Sequence, residues 1–180
     1  MNIWVAIDVD NYYHDLKVRV EEVKNELGIH YGTNNLPYHI SLKISFLSPL
    51  NKENEIIRDI EEFYKTLKPF TLKTTKIEEG NSILWVRYME NEYLRNIAKV
   101  LNIMLNQKYN IPYHPFDIDY IFHTTLYMNE DQEMIQRGYL KLKDFNLPKE
   151  LYINKFLIGY SNTGEPETYN VLKEIIIKNR

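Results

Sequence analysis

The sequence predicts an α+β fold in which mostly antiparallel sheets are combined with helices. Segments of two-residue alternation, typical of half-buried strands, stand between segments with apolar residues at helical spacing. We count about eight strands and four helices by these periods. A faint duplication is the third observation, because a helix, a proline-containing loop, a strand headed by histidine, another helix and a strand pair occur once in each half. The duplication divides the chain into two similar halves.

The elements of the first half follow from periodicity and from turn residues. A helix over 11–27 has its apolar residues at helical spacing and stops at Gly28. A second helix, over 53–67, is charged on one face and apolar on the other. The strands are predicted over 3–9, 38–45, 69–78 and 82–89, the last two joined by the turn "EEGN".

The second half repeats this order. A helix is predicted over 92–107, and an irregular stretch with two prolines, "NIPYHPFDID", leads into the next strand. The remaining elements are a strand over 120–128, a short helix near 131–140, and strands over 151–160 and 169–177.

Composition bounds the class of protein. The 180 residues are 44% hydrophobic and 26% charged, which suits one compact domain, and the absence of cysteine excludes disulfides and thiolate metal sites. No apolar run approaches the ~18–20 residues that span a bilayer, and the start lacks a basic signal region. We expect a cytoplasmic monomer without a membrane partner. A formal net charge of −3 argues against binding a long nucleic-acid duplex, but a small anionic substrate or a strand end needs only two or three local cations.

The stretch "YHISLKIS" places four polar side chains on one face of a strand. Successive side chains in a strand point to opposite faces, so the polar residues are predicted to lie together, opposite the apolar ones. The polar residues are His39, Ser41, Lys43 and Ser45. An imidazole, a hydroxyl and an ammonium in register indicate either a solvated surface or the floor of a site. One copy of the pattern does not decide between them.

A second copy of the pattern stands 84 positions later in "IFHTTLYMN". By the same period, His123, Thr125 and Tyr127 share a face. The two segments "HISL" and "HTTL" each head a strand after an irregular loop, and the other three histidines are not followed by a hydroxyl two places on. The repeated pattern therefore favours a shared site.

The paired motifs fit phosphodiester chemistry. Hydrolysis needs one group that takes a proton from water and one that gives a proton to the leaving oxygen, and histidine suits both near neutral pH. Fixed hydroxyls beside the phosphoryl oxygens stabilise the charge that develops there. We expect His39 and His123 to exchange protons, and Ser41, Thr125 and Lys43 to bind phosphate. Tyr127, in the place equivalent to Lys43, is expected to donate a hydrogen bond or stack on a base.

The loops before the two motifs supply further candidates. Tyr31, Tyr113 and His114 are predicted to contact substrate from the rim of a groove. His114 stands near Asp117 and Asp119, but no third ligand at metal spacing is evident, so we predict no metal site.

Several segments along nearly the whole chain resemble the 2H phosphoesterase superfamily, and most closely its 2′,5′ RNA ligase (RNA 2′,3′-cyclic phosphodiesterase) branch. "NIWVAIDV" resembles the opening strand of the family, and "HISLKISFLSPL" and "HTTL" resemble its two histidine motifs. "KPFTLKTTKIEEGNSILWV" resembles its strand pair, and "LIGYSNTGEPETYNVLKEIII" its closing strands.

The resemblance implies a bilobal fold with a pseudo-twofold axis, two antiparallel sheets forming a central groove, and helices on the outside. The chain, residues 1–180, would then be one domain of two similar lobes, approximately residues 1–90 and 91–180, with strand exchange between the lobes left open. It implies that His39 and His123 are the acid and the base and that Ser41 and Thr125 bind phosphate. The expected substrate is an RNA end or a small nucleotide carrying a 2′,3′-cyclic phosphate, with 2′-5′ ligation as the reverse reaction and no cofactor.

Two departures from the family pattern keep an alternative open. Thr124 follows the second histidine where the family has a hydrophobic residue, and no arginine follows the second motif. A module that binds an RNA end or a nucleotide phosphate without turnover is therefore the alternative to an enzyme.

Overall fold

Two four-stranded antiparallel sheets and five helices form the fold, as the computed structural model describes it for residues 1–29 and 36–178. The α+β class with two sheets, predicted from the sequence, is confirmed. The strands are β1 (Asn2–Asp8), β2 (His39–Leu47), β3 (Phe70–Gly80), β4 (Ile83–Tyr88), β5 (His123–Met128), β6 (Glu150–Ile153), β7 (Lys155–Ser161) and β8 (Asn170–Ile176). The helices are α1 (His14–Leu27), α2 (Glu53–Lys65), α3 (Glu92–Tyr109), α4 (Pro115–Ile118) and α5 (Gln132–Leu142).

Each sheet takes two strands from each half of the chain. The first sheet has the order β2-β1-β7-β8 and the second the order β5-β4-β3-β6. The prediction of a single strand over 151–160 is wrong, because the chain leaves one sheet and enters the other at Asn154. On one side of that residue β6 pairs with β3, and on the other side β7 pairs with β1.

Helices cover one face of each sheet. The apolar residues of α2 recur at helical spacing and are buried, and one of them, Tyr64, lies with its ring 4.4 Å from the ring of Phe156 on β7. On the second sheet, α5 packs through Gly138, where an added Cβ would lie only 1.7 Å from the hydroxyl oxygen of Tyr127. Because these helices pack on one face of each sheet, a site is expected on the opposite face.

The two histidine strands meet in the middle of the molecule. Both β2 and β5 are edge strands of their sheets, and they contact each other there. The Thr124 hydroxyl of β5 donates a hydrogen bond of 3.2 Å to the backbone carbonyl of His39 on β2. This junction brings the first residues of both strands to one place. Within residues 1–29 and 36–178, no helix has the length and apolar character needed to cross a membrane.

Candidate functional site

The two histidines are held in the same way. The Nδ1 atom of His39 lies 2.8 Å from the carbonyl oxygen of Pro37, and that of His123 lies 2.7 Å from the carbonyl oxygen of Ile121. A carbonyl oxygen only accepts hydrogen bonds, so each Nδ1 carries a proton. In the neutral ring, Nε2 then holds the free lone pair and is the nitrogen that can accept a proton from a ligand.

A tryptophan from the neighbouring strand packs against each histidine. The ring centroids of Trp4 and His39 are 4.9 Å apart, and those of Trp85 and His123 are 4.6 Å apart. The indoles fix the orientation of the imidazoles, because each ring pair restricts rotation about the histidine side-chain bonds.

Glycines make room for these indoles. A Cβ at Gly159 on β7 would lie 2.0 Å from Cε2 of Trp4, and one at Gly80 on β3 would lie 3.1 Å from ring carbons of Trp85. Any side chain at Gly159 would therefore displace the indole of Trp4, and a side chain at Gly80 would crowd that of Trp85.

The strand register of the first sheet puts His39 and Ser41 on one face. Ser41 is opposite Ala6 and His39 is opposite Asp8 on β1. Residues two apart in a strand share a face, so the register agrees with the face predicted for these two residues. Both side chains are half-buried, which leaves them within reach of a ligand.

The second sheet repeats this arrangement. Thr125 is opposite Trp85 and His123 is opposite Arg87 on β4, so the hydroxyl and the imidazole share a face here as well. Both side chains are again half-buried. The two sheets thus offer the same pair of groups from two sides of the β2–β5 junction.

The predicted place of Lys43 beside Ser41 is wrong. Ser41 pairs with Ala6, whereas Lys43 pairs with Val5, and consecutive residues of β1 point to opposite faces. One extra residue in β2, a β-bulge, therefore turns Lys43 to the face opposite Ser41.

Lys43 is a structural residue in the core. Its side chain is 2% exposed and forms an ion pair with Asp117, whose side chain is buried to the same extent. Its Nζ atom also donates a hydrogen bond of 3.0 Å to the carbonyl of Pro112. An ammonium bound by these two acceptors anchors the segment around α4 and has no open side for a phosphate.

A β-bulge in β5 likewise turns Tyr127 away from the face of Thr125, so the predicted contact of Tyr127 with substrate is also wrong. Thr125 pairs with Trp85, but Tyr127 pairs with Leu84, which points to the opposite face. The side chain of Tyr127 is buried, and its hydroxyl donates a hydrogen bond of 2.9 Å to the carbonyl of Met134. A β-bulge at the same place in both motifs thus removes the third predicted residue of each face.

Opposite charges stand beside the two histidines at equivalent positions. Asp8 is the direct cross-strand neighbour of His39, and Arg87 is that of His123. Each has a counter-ion, since Lys155 lies 2.8 Å from a carboxylate oxygen of Asp8 and Glu78 lies 3.0 Å from Arg87. The local field therefore differs between the two halves of the site.

The pKa of each histidine is lowered, and burial is the largest cause in both. The backbone carbonyl at Nδ1 opposes that effect in each case. For His39 the carboxylates of Asp8 and Asp10 also raise the pKa against burial. For His123 the charges of His39 and Arg87 lower the pKa further. The influence of the His39 charge on His123 places the two imidazoles in one electrostatic environment.

Sequence reasoning missed Arg87. It follows Trp85 by two positions in an alternating strand, and only the pairing of β4 with β5 brings it beside His123. Its Nε atom is buried and has no hydrogen-bond partner within the described ranges, while Nη1 donates to Glu78. Because Nε is enclosed by protein and the side chain as a whole is partly exposed, only the outer nitrogens of the guanidinium are open to an anionic ligand.

Tyr120 was missed as well and links the two motifs. Its ring centroid is 5.5 Å from that of His123. Burial raises the pKa of Tyr120, and hydrogen bonds with the side chain and backbone of Ser41 oppose this effect. The phenol therefore stays neutral near pH 7.

Thr124, which departs from the family pattern, belongs to a buried chain of hydroxyls. Its hydroxyl donates to the His39 carbonyl and also lies 2.8 Å from the hydroxyl of Tyr88, which is 3.0 Å from that of Tyr13. Because Thr124 has only one proton to give, Tyr88 donates to Thr124 and Tyr13 donates to Tyr88. The chain ties Tyr13, directly before α1, and strands β4 and β5 to the backbone of the first histidine.

The three residues predicted at the rim of the groove have different outcomes in the structure. Tyr31 lies outside the described residues. His114 is exposed, and its Nδ1 accepts a hydrogen bond of 3.2 Å from the backbone of Phe116 as the N-cap of α4. Tyr113 is exposed and lines a cavity that also contacts Tyr120. No group of three or more His, Asp or Glu residues suited to a metal ion occurs within residues 1–29 and 36–178.

Solved structures share this fold. The chain superposes on TT0787 of Thermus thermophilus with a TM-score of 0.65 at 15% identity, and the match covers 98% of this chain and 97% of TT0787. The Escherichia coli LigT structure with 3′-AMP gives a TM-score of 0.56 at 15% identity, over 99% and 98% of the two chains. A structure described as a phosphoesterase gives 0.58 at 14% identity with the same coverage. Scans of protein-family models and of curated proteins gave no match. At these identities the likeness establishes the fold, and it confirms the fold implied by the sequence resemblance.

Proposed function

We propose that this protein is a 2H-type phosphoesterase that opens a 2′,3′-cyclic phosphate at an RNA end or on a small nucleotide. One observation carries the proposal: two imidazoles, each fixed through Nδ1 and each followed by a hydroxyl on the same face, converge where two edge strands meet. Four groups around one phosphate are what metal-independent acid–base hydrolysis requires.

The charges beside the two histidines suggest which histidine is the general acid and which is the general base. The carboxylate of Asp8 favours the protonated form of His39, and the guanidinium of Arg87 favours the neutral form of His123. We therefore assign His39 as the general acid and His123 as the general base. His123 takes a proton from the attacking water as its oxygen bonds to phosphorus. His39 gives its proton to the ribose oxygen whose bond to phosphorus breaks.

Three side chains are proposed to bind the phosphoryl oxygens. Ser41 and Thr125 offer hydroxyl donors from the two sides of the junction. Arg87 supplies the positive charge in place of Lys43, because it stands directly opposite His123 and its side chain is partly exposed. Charge that develops on these oxygens in the transition state strengthens such hydrogen bonds.

The comparisons support the proposal through a chemically related ligand. The LigT structure of the same fold was solved with 3′-AMP, a nucleoside monophosphate. Opening a 2′,3′-cyclic phosphate leaves a nucleoside monophosphate, so such a ligand resembles a product of the proposed reaction. A 5′-hydroxyl that replaces water as the attacking group would form a 2′-5′ linkage at the same groups, as its oxygen bonds to phosphorus, the bond from phosphorus to the 3′-oxygen breaks and that oxygen takes a proton.

A phosphorus NMR time course tests the function. The wild type is incubated with 2′,3′-cyclic nucleotides and with a short RNA ending in a cyclic phosphate, in the presence of EDTA. The double variant His39→Ala His123→Ala is the control. We expect ring opening by the wild type alone, and the product resonance identifies the bond that breaks.

Two other outcomes would contradict the proposal in different ways. Equal ring opening by the double variant would show that the histidines do not carry the reaction. No ring opening of any substrate, together with thermal protection by a nucleotide, would indicate the alternative of a module that binds the phosphate without turnover.

A further inference from the structure

The hydroxyl of Thr124 joins the two histidine strands directly. Thr124 follows His123 on β5, its side chain is fully buried, and its hydroxyl donates the 3.2 Å hydrogen bond to the carbonyl of His39 on β2. Because β2 and β5 are edge strands of different sheets, their spacing is set by contacts across the junction and not by a shared backbone ladder. One side chain and one hydrogen bond therefore connect the backbones of the two histidines.

The first motif has an apolar residue in the place of Thr124. That residue is Ile40, which is fully buried. A buried hydroxyl is costly unless it is hydrogen-bonded, and Thr124 has one partner on β2 and another, Tyr88, on β4. The hydroxyl therefore distinguishes the second motif from the first, and both of its partners lie outside β5.

Two buried tyrosines fix the direction in which Thr124 donates. The hydroxyl of Tyr88 lies 2.8 Å from that of Thr124, and the hydroxyl of Tyr13 lies 3.0 Å from that of Tyr88. Burial raises the pKa of both phenols, so each keeps its proton near pH 7. Tyr88 uses its proton on Thr124, which leaves the proton of Thr124 for the carbonyl of His39.

We propose that Thr124 is a positioning residue whose hydroxyl, oriented by Tyr88, fixes the separation of the two imidazoles. The inference rests on the proposed function, in which both rings act on one phosphate. Each ring must lie within hydrogen-bond reach of its reacting oxygen, and a misplacement of about 1 Å can lower a rate 10²-fold. The tryptophans orient each ring within its own sheet, whereas Thr124 holds one sheet against the other.

Steady-state kinetics of 2′,3′-cyclic nucleotide opening test the inference. Thr124→Val keeps the shape of the side chain and removes the hydroxyl, so kcat should fall roughly tenfold while KM stays within about twofold. KM should change little because the side chains proposed to bind phosphate, Ser41, Thr125 and Arg87, are still present. Thr124→Ser should recover most of kcat. Tyr88→Phe, which removes only the orienting donor, should give a kcat between those of the wild type and Thr124→Val.

Two controls separate positioning from a general loss of stability. Tyr109→Phe also removes a buried tyrosine hydroxyl from a hydrogen bond, but that bond, of 2.7 Å to Asp59, joins α3 to α2. This variant should keep the wild-type kcat. In the His39→Ala background, Thr124→Val should have little further effect, because the imidazole that it misplaces is absent. A purely structural loss would lower the rate by the same factor in both backgrounds.

An NMR measurement tests the inference without turnover. The ring Cε1–Hε1 signal of His39 should move in Thr124→Val and return towards its wild-type position in Thr124→Ser, while Tyr109→Phe leaves it in place. Wild-type kcat in Thr124→Val, an equal loss in the two histidine backgrounds, or an unmoved His39 signal would overturn the inference. Failure of the proposed function has a different signature, because the wild type itself would then open no cyclic phosphate while the His39 signal still responded to Thr124→Val.

Discussion

The histidine strand of the first sheet and that of the second share a scaffold but differ in the charges around it. In both, Nδ1 is bound to the carbonyl two residues before, a tryptophan packs on the imidazole, and a hydroxyl follows on the same face. The residue opposite the histidine is Asp8 in one sheet and Arg87 in the other. The duplicated geometry positions two equivalent groups, and the opposite charges beside them give them different proton affinities.

The β-bulge is also the same in both histidine strands, whereas the residue that it buries differs. It turns Lys43 to the buried face of the first sheet and Tyr127 to the buried face of the second. Lys43 binds Asp117, whereas Tyr127 binds the backbone of α5 at Met134. The same β-bulge therefore positions two unrelated anchoring contacts. Arg87, the cross-strand neighbour of the second histidine, is the cation that we propose for the phosphate.

Removing either histidine should produce the largest effect on activity. His39→Ala and His123→Ala are each expected to lower kcat for ring opening about 10²- to 10⁴-fold, because each removes one proton-transfer group. Thermal unfolding and nucleotide affinity should stay close to those of the wild type. If a variant keeps nearly full kcat, the histidine that it lacks takes no part in the proton transfers.

Lys43→Ala should cost stability instead of phosphate affinity. It leaves the buried carboxylate of Asp117 without its partner, and breaking a buried ion pair typically costs about 3–5 kcal/mol. Chemical denaturation measures the change, with Lys73→Ala as the control since Lys73 forms only an exposed pair. If Lys43→Ala lowers phosphate affinity and leaves the free energy of unfolding unchanged, Lys43 binds phosphate and is not a structural residue.

Arg87→Ala should weaken phosphate binding, in contrast to Lys43→Ala. Loss of a charge-assisted hydrogen bond predicts a roughly 10- to 100-fold higher Kd for phosphate by calorimetry. The matched variant Glu78→Gln removes the counter-ion and leaves the guanidinium, so it should bind phosphate at least as tightly as the wild type. Unchanged binding by Arg87→Ala would exclude the arginine as the phosphate cation.

Thr124→Val should have a smaller effect, on the junction between the two strands. The hydroxyl of Tyr88 loses its acceptor and the His39 carbonyl loses its donor, which predicts a loss of about 1–3 kcal/mol in the free energy of unfolding. Thr124→Ser keeps the hydroxyl and should recover much of that loss. Equal stability of the valine and serine variants would mean that the hydroxyl chain contributes little.

Local pattern in the sequence was enough to predict part of this site. The two-residue period correctly placed each histidine on the face of the hydroxyl that follows it. It failed one step later, at Lys43 and Tyr127, because a β-bulge shifts the register without any glycine or proline to mark it.

Features that depend on pairing between distant strands were not predictable. Arg87 and Trp85 reach the site only because β4 pairs with β5, and Trp4 only because β1 pairs with β2. The division of 151–160 into two strands has the same cause, since Asn154 lies where the chain changes sheets. In the sequence Thr124 is only a departure from the motif, and its role follows from its hydrogen bonds to β2 and β4.

The pH dependence of kcat/KM for a 2′,3′-cyclic nucleotide tests the central claim most directly. A base must be neutral and an acid protonated, so the acidic limb of the profile reports His123 and the alkaline limb reports His39. Arg87→Gln removes a positive charge beside His123, which raises its pKa and should move the acidic limb to higher pH. Asp8→Asn removes a negative charge beside His39, which lowers its pKa and should move the alkaline limb to lower pH. Shifts of the opposite limbs would reverse the two roles, and a profile that neither variant moves would contradict the account.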